Sequence, residues 1–109
     1  TPLAVALAEL LTNAVEHAFT DFGGDDNQQV GIVTLNLYQE GGNAIAEIRD
    51  NGRGLGEHFS LDVPTSLGLS IVRDLIRAQL HGSIEMKSVS TSDGGGTYIR
   101  VAVPTTARL

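Results

Sequence analysis

Asp50-Asn51-Gly52-Arg53-Gly54-Leu55 is the stretch on which the reading of this chain turns. It follows a β-type run, residues 43–50, so a carboxylate stands at a strand end. Two glycines at alternate positions then let the backbone turn tightly and come close to a neighbour. Asn51-Gly52 by itself is an ordinary turn pair. What sets it apart is the length that follows: residues 51–65 hold three glycines, one proline and little periodicity, which describes an irregular loop of a functional or mobile kind. A buried acid in such a place can accept the exocyclic amine of a purine through one oriented hydrogen bond.

Working outward, residues 30–38 and 43–50 are two strand-like runs separated by Gln39-Glu40-Gly41-Gly42, a hairpin signal. Upstream, Thr1 as N-cap and Pro2 at the first helical position open a segment in which Leu3, Leu7, Leu10, Leu11, Ala14, Val15 and Ala18 recur at helical spacing, predicting a helix to about Phe19. Residues 21–29 are polar and glycine-rich and read as a loop. Downstream, Ser66 caps a second helix whose core positions are Leu67, Ile71, Val72, Leu75, Ile76 and Leu80, and His81-Gly82 ends it. Residues 83–89 and 97–103 form a second strand pair around Ser92-Asp93-Gly94-Gly95-Gly96. Two helices and two hairpins in this order predict an α+β fold of two layers, a mixed or antiparallel sheet with the helices on one face.

The chain has 109 residues, 41% of them apolar, enough for one cored domain, residues 1–109. Its net charge is −6 and its seven Lys and Arg are scattered, which excludes a phosphate-neutralising groove for nucleic acid. Any phosphate must then be held by backbone N–H groups, a helix N-terminus or a bridging metal. There is no cysteine, hence no disulfide, thiol nucleophile or thiolate metal site, which fits a reducing compartment, with cytoplasm as the default. No apolar run approaches a membrane span, and no basic-then-apolar start marks a signal peptide. The abrupt opening on a helix points to a fragment.

Three further segments carry chemistry. Glu9, Asn13 and Glu16 share the polar face of the first helix, opposite the leucine stripe. A solvated helix face is the ordinary explanation, but Asn is a poor helix former, and its amide oxygen beside a carboxylate suits a hard cation. Ser66-Leu67-Gly68-Leu69 opens the second helix, where free N–H groups and the helix dipole make an anion site and Gly68 allows close approach. A plain Ser cap with a packing glycine explains that stretch equally well. Gly95-Gly96-Thr97 before the last strand is either a simple turn or a second close approach.

Together and in this order, Glu9-Leu10-Leu11-Thr12-Asn13-Ala14, Asp50-Asn51-Gly52-Arg53-Gly54, Ser66-Leu67-Gly68-Leu69 and Gly96-Thr97 resemble the ATP-binding motifs of the gyrase, histidine kinase and MutL superfamily. The match covers nearly the whole chain. The run from Leu69 through Ile71-Val72-Arg73 to Leu80-His81-Gly82 looks most like sensor histidine kinases. The Ala18-Phe19 ending and the short lid resemble a kinase subfamily found among actinobacterial and proteobacterial sensors.

The resemblance implies a Bergerat fold, with a strand and a helix preceding Thr1, ATP with Mg²⁺ as cofactors, and residues 53–65 as the lid. It implies Asn13 as Mg²⁺ ligand, Asp50 on the adenine amine, and Asn51, Gly52, Gly54 and Leu55 close to the nucleotide. Ser66, Leu67, Gly68 and Leu69 would surround the phosphates, with His17 near them and Thr97 near adenine. Glu9 would position or deprotonate a nucleophile. Two departures stand out: Glu16 occupies a place where many kinases have Lys, and beyond Phe59 there is no Phe-rich lid motif.

The implied function is the catalytic domain of a two-component sensor histidine kinase. It would donate the γ-phosphate to a histidine on a separate dimerisation domain of the same homodimeric protein, and so serve a response regulator, with antitermination regulators among the partners of the actinobacterial examples. No nucleic acid or membrane contact by this domain is implied. An anti-sigma-factor serine kinase of the same fold and a non-catalytic docking module are the alternatives.

Overall fold

The computed structural model describes residues 1–17, 31–55, 59–61 and 67–106. Helix α1 spans Pro2–His17, strands β1 and β2 span Val33–Glu40 and Asn43–Asp50, and α2 spans Leu67–Asp74. A π turn, Leu75–Gln79, prolongs α2, followed by β3 (Ser83–Ser88), a 3₁₀ turn (Thr91–Asp93) and β4 (Thr97–Pro104). The four strands form one sheet in the order β1-β2-β4-β3, every pair antiparallel. The sheet is therefore antiparallel rather than mixed. The loop at 21–29, the Ala18-Phe19 helix end and the Ser66 cap lie outside the described residues.

Each element forms for a local reason. The Thr1 hydroxyl accepts the Ala4 N–H at 3.4 Å, a loose N-cap, and Pro2 stands at the first helical position, where its missing N–H costs nothing. The β1–β2 hairpin is tighter than its sequence predicts. Gln39 and Glu40 stay in the strand, paired with Ala44 and Asn43, and only Gly41-Gly42 turn, with Gly41 at φ +59°. Past Gln79 the chain leaves the helix through a π turn, with Leu80 N–H donating to the Leu75 carbonyl at 3.1 Å and Gly82 N–H to the Ile76 carbonyl at 2.8 Å. The left-handed residue there is His81 (φ +53°), not the glycine after it. Gly82 is required for a different reason, since a Cβ on it would run into the Ala102 carbonyl.

Register fixes the two faces of the sheet. Ala46 and Ile48 of β2 stand beside Val101 and Ile99 of β4, and these beside Ile84 and Met86 of β3, so one apolar surface crosses three strands. Leu10 of α1 and Leu69, Val72, Ile76 and Leu80 of α2 and its extension close over it. The predicted stripes need two corrections. Val15 and Ile71 are 62% and 52% exposed, while Ala6 and Leu69 take core positions. The buried face of each helix is thus shifted by a fraction of a turn from the predicted stripe, toward Ala6 in α1 and Leu69 in α2.

Strand β1 is the bare edge. Leu35 and Leu37 pair with Ile48 and Ala46 and so face the helix layer, yet α1 leaves them 37% and 63% exposed. A cavity of about 340 Å³, lined by Leu3, Leu37, Ala44, Ala46 and Val101 among others, opens at the hairpin end of that face. The opposite face is open and polar. There the Tyr98 hydroxyl donates to Glu47, which pushes the Tyr98 phenol up to about 12, with burial adding to the effect. Among the described residues no helix is long and apolar enough to cross a membrane.

The helix rotation is measurable. Ile76→Ala should lower the unfolding free energy in urea by about 2–5 kcal/mol, as for other buried Ile and Leu truncations. Ile71→Ala, one turn away and exposed, should change it by less than about 0.5 kcal/mol.

Candidate functional site

Asp50 is the last residue of β2, and it is 4% exposed. Its Oδ1 accepts two backbone N–H groups, that of Gly52 at 2.9 Å and that of Thr97 at 3.2 Å. The first bond closes the turn after the strand, and the second ties that turn to the start of β4. Among the described residues no donor reaches Oδ2. One oxygen of the carboxylate is thus structural, and the other is unengaged at the mouth of a glycine turn.

The glycines explain how close these segments come. Gly96 has φ +93°, and a Cβ on it would collide with the Asp50 carbonyl and the Asn51 Cα. Gly54 has φ +79°, and its Cβ position lies 3.1 Å from the Gly96 carbonyl oxygen and 3.3 Å from Ser88 Oγ. The loop after Asp50 therefore lies against the β3–β4 connection, backbone on backbone, where any side chain would keep them apart.

Asn51 is tied back to the segment before β1. Its N–H donates to the Ile32 carbonyl at 3.3 Å, and its Oδ1 accepts the Ile32 N–H at 2.8 Å, which prolongs the β1–β2 pairing by a step. At the other end of the turn, Leu55 N–H donates to Ser88 Oγ at 2.9 Å, and the Ser88 hydroxyl lies 3.4 Å from the Leu55 carbonyl. Ser88 was not among the residues singled out from sequence. A serine ending an exposed strand carries no local signal, and its partner lies 33 positions earlier.

On the helix side, the Glu9 carboxylate packs onto Gly68 in the first turn of α2, in the space a Gly68 side chain would need. That joins two of the sequence-predicted segments, and an acid at a helix N-terminus is electrostatically favourable. Asn13 stands one turn further along α1, about 6 Å up the axis at 1.5 Å per residue. It is partly exposed, and among the described residues its amide has no hydrogen-bond partner. The described residues contain no cluster of three or more His, Asp or Glu able to cage a metal. Asn13 and Glu9 can thus supply part of a coordination sphere but not a whole one. Leu69 is buried in the core. The expectations on the His17 side chain, on Ser66 and on the Leu67 side chain lie outside the described residues.

Of the 53–65 segment, residues 53–55 and 59–61 are described. Phe59 and Leu61 pack against the core, and the Arg73 guanidinium donates to the Leu61 carbonyl at 2.9 Å.

A carboxylate thus stands at a strand end, one glycine turn lies on another, and the polar face of α1 meets the first turn of α2. Residues 1–107 match the family of histidine kinase-, DNA gyrase B-, and HSP90-like ATPases, and the chain belongs to that family. Its relatives narrow the kind. It is 38% identical over 104 residues to the sensor histidine kinase PdtaS of Mycolicibacterium smegmatis, covering 95% of this chain and 19% of the relative. It is 37% identical over 109 residues to PdtaS of Mycobacterium tuberculosis, covering 100% of this chain and 21% of the relative. The chain thus spans about a fifth of the length of these curated relatives.

Among solved structures, the histidine kinase domain of the Erythrobacter litoralis blue-light activated histidine kinase superposes with a TM-score of 0.78 at 26% identity, over 96% of this chain and 44% of that one. The catalytic domain of histidine kinase ThkA shares the fold at a TM-score of 0.71 and 21% identity, over 96% of this chain and 66% of that one. The α+β architecture read from the sequence is that of histidine kinase catalytic domains.

The close backbone approach at Gly96 yields a test. Gly96→Ala should cost about 2 kcal/mol or more of stability, from positive-φ strain and the clash with Asp50. Gly42→Ala, whose added Cβ meets nothing within 4 Å, should stay near zero in the same urea titration.

Proposed function

We propose that this chain is the ATP-binding catalytic domain of a sensor histidine kinase, holding Mg-ATP between the polar face of α1 and the turn after Asp50. The observation that carries the reading is the divided carboxylate of Asp50: Oδ1 is committed to two backbone amides, and Oδ2 is left for a donor such as the adenine amine. Such a fixed, largely desolvated acceptor discriminates strongly, because a base without the donor leaves it unpaired. Gly52, Gly54 and Leu55 would lie along the nucleotide through their backbone, Thr97 beside the base, and Asn51 would hold the turn from behind.

The phosphates are assigned to the space between α1 and the first turn of α2, at Ser66, Leu67, Gly68 and Leu69, with His17 close by. Glu9 already lies there, and its carboxylate would repel a polyphosphate. A divalent cation reconciles the two, which supports Mg²⁺ held by Asn13 with help from Glu9. When bound, the metal would neutralise the phosphate oxygens. The chain's own residues would orient the nucleotide so that transfer becomes a matter of positioning. Residues 53–65 are the proposed covering loop, anchored at 59–61 by Arg73.

The transfer itself is assigned to a histidine on a dimerisation domain of the full protein, a homodimer, with a response regulator downstream, an antitermination regulator being one type. A cytoplasmic location follows from that role. The names of the relatives favour this over the anti-sigma serine kinase, since those quoted above are sensor histidine kinases.

Asp50→Asn isolates base recognition from folding. The asparagine oxygen can still accept the Gly52 and Thr97 amides, while its NH₂ faces the adenine amine donor to donor. Calorimetry should show Mg-ATP affinity reduced roughly tenfold or more, with melting little changed. Unchanged affinity would sink the adenine assignment. For the metal, Asn13→Ala should shift the magnesium dependence of ATP binding to higher concentration, and a titration superimposable on the wild type would remove Asn13 as a ligand.

A further inference from the structure

We infer that Ser88 is the positioning residue that clamps the far end of the Asp50 loop, and that it thereby sets the affinity of the adenine nucleotide, an inference that rests on the function proposed above. The loop between Asp50 and Leu55 has two fixed points. At the near end, Gly52 N–H is held by Asp50 Oδ1 at 2.9 Å. At the far end, Leu55 N–H donates to Ser88 Oγ at 2.9 Å, and the same hydroxyl turns its hydrogen toward the Leu55 carbonyl at 3.4 Å. A hydroxyl carries one donor and two lone pairs, so one serine can take both backbone groups of one residue.

Between those points lie Gly52, Arg53 and Gly54, the backbone assigned to approach the nucleotide. Gly54 is wedged between Ser88 and Gly96, with its Cβ position 3.3 Å from Ser88 Oγ and 3.1 Å from the Gly96 carbonyl oxygen. The Gly96 carbonyl is itself fixed by the Val89 N–H at 2.8 Å, one residue after Ser88. The loop therefore rests on the end of β3, where Ser88 bonds both backbone groups of Leu55.

Ser88 is exposed and takes no part in the apolar core, so loss of its hydroxyl leaves the sheet in place and frees the loop. A loose loop must be ordered again when a ligand arrives, and that cost appears as lost affinity. It falls on the base end of the ligand, because the phosphates are assigned elsewhere. ATP and ADP are therefore weakened by the same factor.

The test compares Ser88→Ala, Ser88→Thr and the isosteric Ser88→Val, with Ser90→Ala as a nearby hydroxyl deletion whose partners, Ser92 and Asp93, lie within its own turn. Amide hydrogen exchange at Leu55 and dissociation constants for Mg-ATP and ADP are measured on each. The expected result is faster Leu55 exchange and a roughly two- to tenfold weaker affinity for both nucleotides in Ser88→Ala and Ser88→Val. The ATP-to-ADP ratio stays unchanged, Ser88→Thr behaves as wild type, and Ser90→Ala has no effect. Since Thr and Val fill the same volume, any general loss of folding falls on both and cancels in the comparison. Unchanged Leu55 exchange in Ser88→Ala overturns the clamp, and faster exchange with unchanged affinity overturns its role in binding. A wild-type protein that binds neither nucleotide overturns the proposed function and with it the affinity half of the inference, while Leu55 exchange still decides the clamp.

Discussion

Two backbone amides, those of Gly52 and Thr97, converge on one oxygen of Asp50, and most of the site follows from that. A carboxylate buried to 4% exposure needs such partners, because a desolvated charge without them is expensive. Satisfying it with N–H groups from both sides of the β2–β4 junction draws the turn after β2 onto the start of β4. Gly96 is then obligatory, since its Cβ would collide with Asp50, and Gly54 is favoured by its φ of +79° and by a Cβ position 3.1 Å from the Gly96 carbonyl oxygen. On the proposed function, binding geometry and sheet stability are served by one side chain, with its two oxygens divided between them.

The remainder of the molecule supplies a support for that junction. The core joining β2, β4 and β3 to the two helices holds the strands whose ends carry Asp50, Ser88 and Thr97. The packing of α1 against α2 brings the Glu9 carboxylate onto Gly68. A chain of net charge −6 has little attraction to offer a polyphosphate from its side chains, so the proposed function calls on backbone dipoles and an accompanying cation.

The architecture was legible where signals are local. Apolar spacing located both helices, and β-rich runs located all four strands, with ends displaced by up to three residues at β1 and by one at β3 and β4. The turn after Asp50 and the close approach of its glycines were legible because the motif is contiguous. What escaped was long-range or rotational. Val15 and Ile71 satisfy a helical stripe as well as their neighbours do, and only the position of the opposing sheet decides that they face out. Asn51 belongs to a nucleotide motif, yet its side-chain oxygen is bonded to Ile32, 19 residues earlier. Ser88 is one of several serines, and nothing in its vicinity announces Leu55.

The divided carboxylate also bears on how the site could evolve under an inhibitor. A compound that donates to Oδ2 of Asp50 engages a group whose other oxygen is bound into the sheet. Apolar replacements that abolish the contact strand the Gly52 and Thr97 amides without an acceptor, a loss of about 1–3 kcal/mol for each one left buried. Asparagine spares those amides but gives up the acceptor facing the ligand. On the proposed function, resistance at this position is therefore coupled to loss of fold or loss of function, and escape would have to arise elsewhere in the cleft.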